Sequence, residues 1–282
     1  MPISFSCPHC GLETTAADRY AGQYAACSRC GKPFVYPRPK HASKAPLIVI
    51  VSCLALVCVS ILLRLLVSSV QNTRETMRRS ACAFKLQQIG MALLQYKAVN
   101  GAFPPAVFTD DHGKPMKSWR VAILPYLEEQ ALYQRYDSKQ PWNAPQNHAV
   151  ASTPVSVALF CCPSDPDTTA NPTETNYVMV VGKKTVGGMP NEVVKSADTM
   201  DTPGKTILLV EVSGLHINWT EPRDVTVEEF MEMVAKGRAS HHPGGFQVLT
   251  TDGSAHFLSN GIDPKTLRAM LLRNHGQPVG DY

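Results

Sequence analysis

The stretch from Leu47 to Val70 reads LIVIVSCLALVCVSILLRLLVSSV and constrains this chain more than any other. Residues 47–63 carry no charge. At 1.5 Å per residue a helix over 47–70 reaches about 36 Å, enough to cross a hydrocarbon core of ~30 Å. A helix that is apolar on every face has no side to offer water, so a buried core helix is the weaker reading. Arg64 is the one charge inside it. At the bilayer centre that charge would cost roughly 2.5 kcal/mol or more, but it sits near the end of the stretch, where its stem can reach the interface. A cleavable signal would begin near residue 1, whereas a cysteine-rich module comes first here. The expectation is an uncleaved single-pass anchor.

Charge is divided unevenly on either side of it. Residues 1–46 hold six Lys/Arg against Glu13 and Asp18, and residues 71–282 hold twenty Lys/Arg against twenty-one Asp/Glu. The large segment is therefore near neutral, and a nucleic-acid surface is not expected there. Flanking charge is close to a tie for orientation: Arg38, Lys40 and Lys44 precede the span, while Arg74, Arg78, Arg79 and Lys85 follow it. The thiols tip the balance. Unoxidised thiolates favour a reducing cytosol, so the N-terminus is expected inside and the large domain outside the cytoplasmic membrane.

Cys7-x-x-Cys10 and Cys27-x-x-Cys30 are separated by sixteen residues, the spacing of a tetrahedral zinc site. Gly11 and Gly31 follow the two pairs and allow the turn that brings amides toward sulfur. Phe34 and Tyr36 are placed to cover the site. A module this small needs the metal to fold, which makes Zn2+ structural. Two redox CxxC motifs are the competing reading. The pattern CPxCG…AG…CxxCGKxF resembles a zinc-ribbon finger found ahead of membrane anchors in bacterial proteins, which implies a protein-contact or sensing module more than a nucleic-acid one, with Arg19, Arg29 and Lys32 near Tyr20 and Tyr24 keeping nucleic acid as the alternative. The division is thus a zinc ribbon at 1–36, a proline- and lysine-rich linker at 37–46, a transmembrane helix at 47–70 and a large domain at 71–282.

In the large domain, Cys82, Leu86, Ile89, Leu93 and Tyr96 repeat as one helical stripe, and Asn100-Gly101 ends the helix. Further helices are expected near Trp119–Tyr136, broken at Pro125, near Val227–Lys236 behind the capping box Thr226-x-x-Glu229, and near Pro264–Arg273 behind Asp263. Strands are expected over Val155–Cys161, Asn176–Val181, Thr206–Val212, Phe246–Thr251 and Ser254–Ser259. The last two flank a two-residue Asp252-Gly253 turn. The fold class is α+β with an antiparallel sheet.

Four blocks carry a family resemblance: SVQNTRETMRRSACAFKLQQIGMALLQYKAVNGAFPP, SWRVAILPYLEEQALYQRYDSKQPWN, CPSD at 162–165, and HHPGGFQVLTTDGSAHFLS. They resemble the bacterial pilin-like domain of unknown function with a prepilin-type processing-associated H-x(9)-D-G motif, here His242, Asp252 and Gly253. That family is also filed as a type of solute-binding protein. The resemblance implies a pilin-like long N-terminal helix on an antiparallel sheet, outside the cytoplasmic membrane, with no known activity. The usual prepilin cleavage site is replaced by Lys44-Ala45-Pro46-Leu47-Ile48-Val49, which puts peptidase processing and pilus assembly in doubt.

Catalysis is not expected. His241, His242, Asp252 and His256 invite it, but a strand of about 20 Å separates His242 from Asp252. Hydrogen bonding that fixes the loops at either end of the hairpin is the better role. In an oxidising compartment Cys82 and Cys162 could form a disulfide, with Cys161 as the alternative partner and three free cysteines as the other outcome. Trp119, Tyr126, Tyr133 and Trp142 read as core aromatics, with a small-molecule ligand pocket built from them as the alternative. The expected protein is a membrane-anchored, non-enzymatic envelope protein with a structural or interaction role. Its partners are the lipid bilayer and other envelope proteins, and a tethered solute-binding protein is the alternative.

Overall fold

The structure is a computed structural model that describes residues 2–38, 45–155, 159–195 and 203–273. It divides into two compact units, Met1–Ser68 and Ser69–Tyr282. Most of the expected 37–46 linker and the start of the prepilin-like stretch lie outside the described residues.

In the first unit, β1 (Ile3–Ser6) pairs antiparallel with β2 (Glu13–Ala16), and β3 (Tyr24–Ala26) pairs with β4 (Pro33–Val35). Each hairpin carries one CxxC pair at its turn. Helix α1 (Ala45–Asn100) is a single element of 56 residues. Every residue from Ile50 to Gln71 is exposed within the chain. The helix is long and apolar enough to cross a membrane.

In the second unit α1 changes character. Cys82, Leu86, Ile89 and Leu93 are buried and Tyr96 is half-buried, which is the stripe read from the sequence. Gly101, at φ +77°, ends the helix. Strands β5 (Val107–Thr109) and β6 (Pro115–Ser118) form a small hairpin. The stretch Trp119–Tyr136 breaks at Pro125 as expected. It gives α2 (Trp119–Ala122), a 3-10 turn over Leu124–Tyr126 and α3 (Gln130–Arg135). Short helices α4 (Pro145–Ala151) and α5 (Pro166–Ala170) follow.

The main sheet uses β8 (Tyr177–Val181), β9 (Ile207–Glu211), β11 (Val225–Thr226), β12 (Gly245–Thr250) and β13 (Ala255–Ser259). Their order is β11-β8-β9-β12-β13. A separate pair joins β7 (Glu174–Thr175) to β10 (Ile217–Asn218). Helices α6 (Val227–Ala235) and α7 (Pro264–Leu271) carry the caps that the sequence specifies: Thr226 and Glu229 complete the capping box, and Asp263 accepts from Thr266 N.

Strand alternation divides the interior. Tyr177, Met179, Leu209 and Leu249 pack with Leu86, Ile89 and Leu93 of α1. Val178, Val180, Val210, Phe246 and Val248 pack with Phe230 and Val234 of α6 and with Leu267 and Met270 of α7. The sheet is thus covered on both faces, and its central strands read as apolar runs. Gly90 lets α1 approach the sheet: a Cβ there would lie 3.0 Å from Leu249 and 3.3 Å from the backbone of Gly253.

Three expectations need correction. The sheet is mixed, because β11 runs parallel to β8. Asp224, just before β11, accepts from Met179 N of β8 and so brings β11 to that edge. The turn between β12 and β13 has three residues: Thr250 N bonds Ser254 O, and Gly253 takes φ +88°. This is the turn with a left-handed glycine that three-residue hairpins favour. The expected strand over Val155–Cys161 is not one among its described residues. Asn176 and Thr175 bond the Phe160–Cys162 backbone into a turn instead, and residues 156–158 lie outside the description.

A buried ion pair escaped the sequence reading. Arg120 Nη2 lies 2.8 Å from Asp224 Oδ1, both side chains are fully buried, and Arg120 also donates twice to Tyr177 O. Met179 N and Trp119 Nε1 donate to the same carboxylate oxygen. The pair fastens α2 to the sheet edge. Asp224→Ala would strand a buried guanidinium and should cost about 3–5 kcal/mol. Leu86→Ala should cost about 2–5 kcal/mol, while Phe84→Ala, at an exposed position, should stay within about 0.5 kcal/mol. Denaturant unfolding of the three variants checks the ranking.

Candidate metal and thiol sites

The four N-terminal cysteines converge. Cys7 Sγ lies 3.9 Å from Cys30 Sγ, Cys10 Sγ lies 3.7 Å from Cys27 Sγ, and all four sulfurs fall within 4.8 Å of one another. Four sulfurs about 2.3 Å from one ion would be about 3.8 Å apart, so the set fits a tetrahedral metal. The two knuckles repeat one backbone pattern. Cys7 N bonds Leu12 O and Gly11 N bonds Cys7 O; Cys27 N bonds Lys32 O and Gly31 N bonds Cys27 O. Gly11 and Gly31 sit at φ +72° and +66°, as the tight turn requires. The backbone amides of Cys30 and Arg29 hold the Cys27 thiol down at about 6, toward the thiolate a metal needs. Phe34 is buried against Cys7 and Cys27, and its ring meets those of Phe5 and Tyr36 at 5.1 Å. His9 turns away to Pro33 O at 3.3 Å. Cys53 and Cys58 are exposed on α1.

A second convergence lies inside the large domain. Cys82 from α1, Cys162 from the CPSD turn, Glu211 from the end of β9 and His242 from the loop before β12 are all buried, with ligand atoms within 4.8 Å of one another. The sulfurs of Cys82 and Cys162 are 2.8 Å apart and not bonded. His242 Nε2 lies 3.5 Å from Cys162 Sγ and 3.5 Å from Glu211 Oε1. On its other side, Nδ1 donates to Glu75 Oε1 at 2.6 Å. Glu75 in turn pairs with Arg78 at 2.8 Å and Arg79 at 3.4 Å on its own helix. Arg79 also reaches back to donate to Pro243 O, and Gln247 Nε2 donates to Arg79 O at 3.3 Å.

Local sequence builds this geometry. Alternation along β9 sends Glu211 to the same face as Leu209, toward α1. Gln247 N donates to Glu211 Oε2 at 2.9 Å. The CPSD turn is gripped by Asn176, whose Oδ1 accepts from Cys162 N at 2.6 Å and whose Nδ2 donates to Asp165 Oδ2 at 2.7 Å. Asp165 also caps α5. Cys161, the adjacent thiol, turns the other way and donates to Glu174 O at 3.2 Å, and burial pushes its thiol up to about 11. Of the two candidates, Cys162 is the one brought to Cys82.

Burial alone would lower His242, but hydrogen bonding to Cys82, the charge of Glu211 and the bond to Glu75 outweigh it and carry the ring up to about 9. Burial raises the Glu211 carboxyl. Desolvation would also raise Glu75, but the bond from His242 and the pairing with Arg78 bring it below its ordinary value. The bond from Cys162 holds the Cys82 thiol down at about 5, while Cys162 itself moves up.

His242 and Asp252-Gly253 lie at opposite ends of β12 and do not meet each other. Asp252 stays in its turn, accepting from Thr250 Oγ1 at 2.6 Å and from Ser254 N at 3.0 Å. His242 instead meets Glu75, and Gly253 packs on Gly90 and Leu94. The two ends of the motif thus hold β12 against α1 at positions fifteen residues apart. His241 lies 3.5 Å from Asp165 Oδ2. Glu75 and Glu211 were missed in the sequence. The signals available were a carboxylate seven residues before Cys82 on the same helical face, and one closing an otherwise apolar strand. Trp119 is fully buried, and Tyr126, Tyr133 and Trp142 pack on the core. An open hollow is lined by Trp142 with Glu221, Arg223 and Asp224.

His242→Ala would leave Glu211 buried without a cation and should cost about 3–5 kcal/mol, and combining it with Glu211→Gln should recover part of that loss. Urea unfolding of the single and double variants measures it.

The family described as a protein of unknown function (DUF1559), short name SBP_bac_10, matches residues 71–226. No curated protein and no solved structure matches the chain.

Proposed function

The chain belongs to the DUF1559 family, and from that membership and the geometry of α1 we propose that it is a membrane-anchored, non-enzymatic, pilin-like envelope protein with a structural or interaction role. The observation that carries this reading is α1 itself. One helix supplies an apolar, exposed stretch of membrane-crossing length and then a wall of the large domain's core. A helix shared between the apolar stretch and the domain core suits a scaffold. The lipid bilayer and neighbouring envelope proteins are its partners. The H-x(9)-D-G motif serves this design by holding β12 along α1.

The non-enzymatic reading is supported by the sealing of the one His–thiol–carboxylate cluster among the described residues: all four side chains are closed from solvent, and α1 itself forms one wall. The N-terminal ribbon holds a structural Zn2+. Four thiolates close the coordination shell and leave no open position for chemistry. Thiolates persist in a reducing compartment, which favours a cytosolic ribbon and an extracytoplasmic large domain. The ribbon then serves protein contacts, and the near-neutral charge of the large domain argues against a nucleic-acid partner for that part of the chain.

A solute-binding role is the second reading. It is favoured by the hollow beside Trp142, where an aromatic face sits among Glu221, Arg223 and Asp224, and by the family's short name.

Two measurements test the proposal. Protease added outside intact spheroplasts should digest the large domain and leave a protected fragment containing residues 1–70; protection of the large domain would overturn the topology. The purified chain should carry one zinc ion on the ribbon, removable by chelator and missing from the Cys27→Ser variant.

A further inference from the structure

The second cysteine cluster contrasts with the first within the same molecule. In the ribbon, opposed sulfurs stand 3.7 and 3.9 Å apart, as two ligands of one ion should. Cys82 and Cys162 stand at 2.8 Å. That is closer than the ~3.5–4.0 Å at which non-bonded heavy atoms settle. It is also too close for a shared metal: with metal–sulfur bonds of about 2.3 Å, the angle at the ion would close to roughly 75°, far from tetrahedral. We propose that Cys82 and Cys162 form a disulfide in the mature protein, and that the Glu75–His242–Glu211 chain is the polar housing of that bond rather than a metal site. The proposal rests on the reading that the large domain lies outside the cytoplasmic membrane.

The surroundings fit a bond better than two thiols. Both sulfurs are fully buried beside Glu211 and Tyr177, and the thiolate that the bond from Cys162 favours on Cys82 would stand beside a carboxylate with no water to screen it. Joining the sulfurs removes that charge. His242 is then a cation between two carboxylates, with Nδ1–H donated to Glu75 and Nε2 3.5 Å from Glu211 Oε1, an oxygen with no hydrogen bond among the described residues. Selectivity is built in as well, because the Asn176 grip on Cys162 N and the turning of Cys161 toward Glu174 O leave one thiol facing Cys82.

The chemistry is ordinary exchange with a disulfide-carrying oxidant, RSSR. The thiolate of one cysteine attacks RSSR and releases RS–. The second cysteine, as its thiolate, attacks the mixed disulfide and releases another RS–. The two protons lost from the cysteines end on the two RSH, so two thiols and RSSR become one cystine and two RSH. The sealed site means that this happens during folding, before α1 has docked on the sheet. The bond would tie α1, seven residues past Glu75, to the CPSD turn and close a loop from residue 82 to residue 162. It would add a covalent link to the ion pairs and hydrogen bonds already holding the start of α1's buried half.

The full-length chain tests this directly. Cells are lysed in excess alkylating agent, and the protein is denatured, then reduced and labelled with a second agent. Cys82 and Cys162 should take only the second label and Cys161 only the first. In parallel, the purified chain is reduced while denatured and then refolded with oxidised glutathione. It should regain the same bond and melt roughly 5–15 °C higher than the reduced form. Cys161→Ser should keep that shift and Cys162→Ser should lose it. Free thiols in the cell together with no closure by glutathione would overturn the proposal. A second zinc ion on the wild type, absent from Cys82→Ser, would overturn it too, by making the cluster a metal site. Free thiols in the cell with closure in vitro would uphold the pairing and instead overturn the placement of the large domain outside the membrane.

Discussion

Helix α1 is one element with two different surroundings along its length. From Ile50 to Gln71 it exposes every residue, and from Cys82 to Leu93 it buries one stripe under a sheet. An α-helix closes its backbone hydrogen bonds within itself, so it can pass between these environments without stranding a polar group. Everything else in the large domain is arranged around that fact. The sheet turns Tyr177, Met179, Leu209 and Leu249 toward the stripe, and Gly90 removes the side chain that would hold the helix off Leu249 and the Asp252-Gly253 turn.

Where the buried stripe begins, apolar packing gives way to ionic and polar contacts. Glu75, Arg78 and Arg79 reach from α1 to His242, Ser164 and the backbone at Pro243. Ion pairs of this kind add little when exposed, but a sealed His242 between two carboxylates has fixed geometry and few alternatives. The same holds for Arg120 and Asp224 at the far edge of the sheet. Two buried charge centres therefore fix the register of loops whose apolar content alone would not choose it.

The spacing of His242 and Asp252-Gly253 acquires a physical meaning from this arrangement. Its histidine and its aspartate-glycine turn look like a catalytic remnant when read as a string, yet they stand at opposite ends of β12. The histidine end is electrostatic and the glycine end steric: a side chain on Gly253 would strike Leu94 at 2.9 Å. Together they set how β12 lies along the helix.

Much was legible in the sequence because it depends on local rules. The length and apolarity of 47–70, the CxxC spacing, the stripe from Cys82 to Tyr96, the capping box at Thr226 and the strands over 177–181, 207–211 and 245–259 follow from periodicity, turn chemistry and ligand spacing. The edge β11 could not be read, since two residues carry no period and their parallel pairing depends on Asp224 finding Arg120 across 104 positions. The turn at 159–162 was misread as a strand because an apolar run looks the same in both, and Asn176 decides between them. Glu75, Glu211 and His242 were separate residues in the string. Only packing α1 onto the sheet made them neighbours of two thiols, because burial and charge pairing are properties of the closed fold and have no sequence spacing.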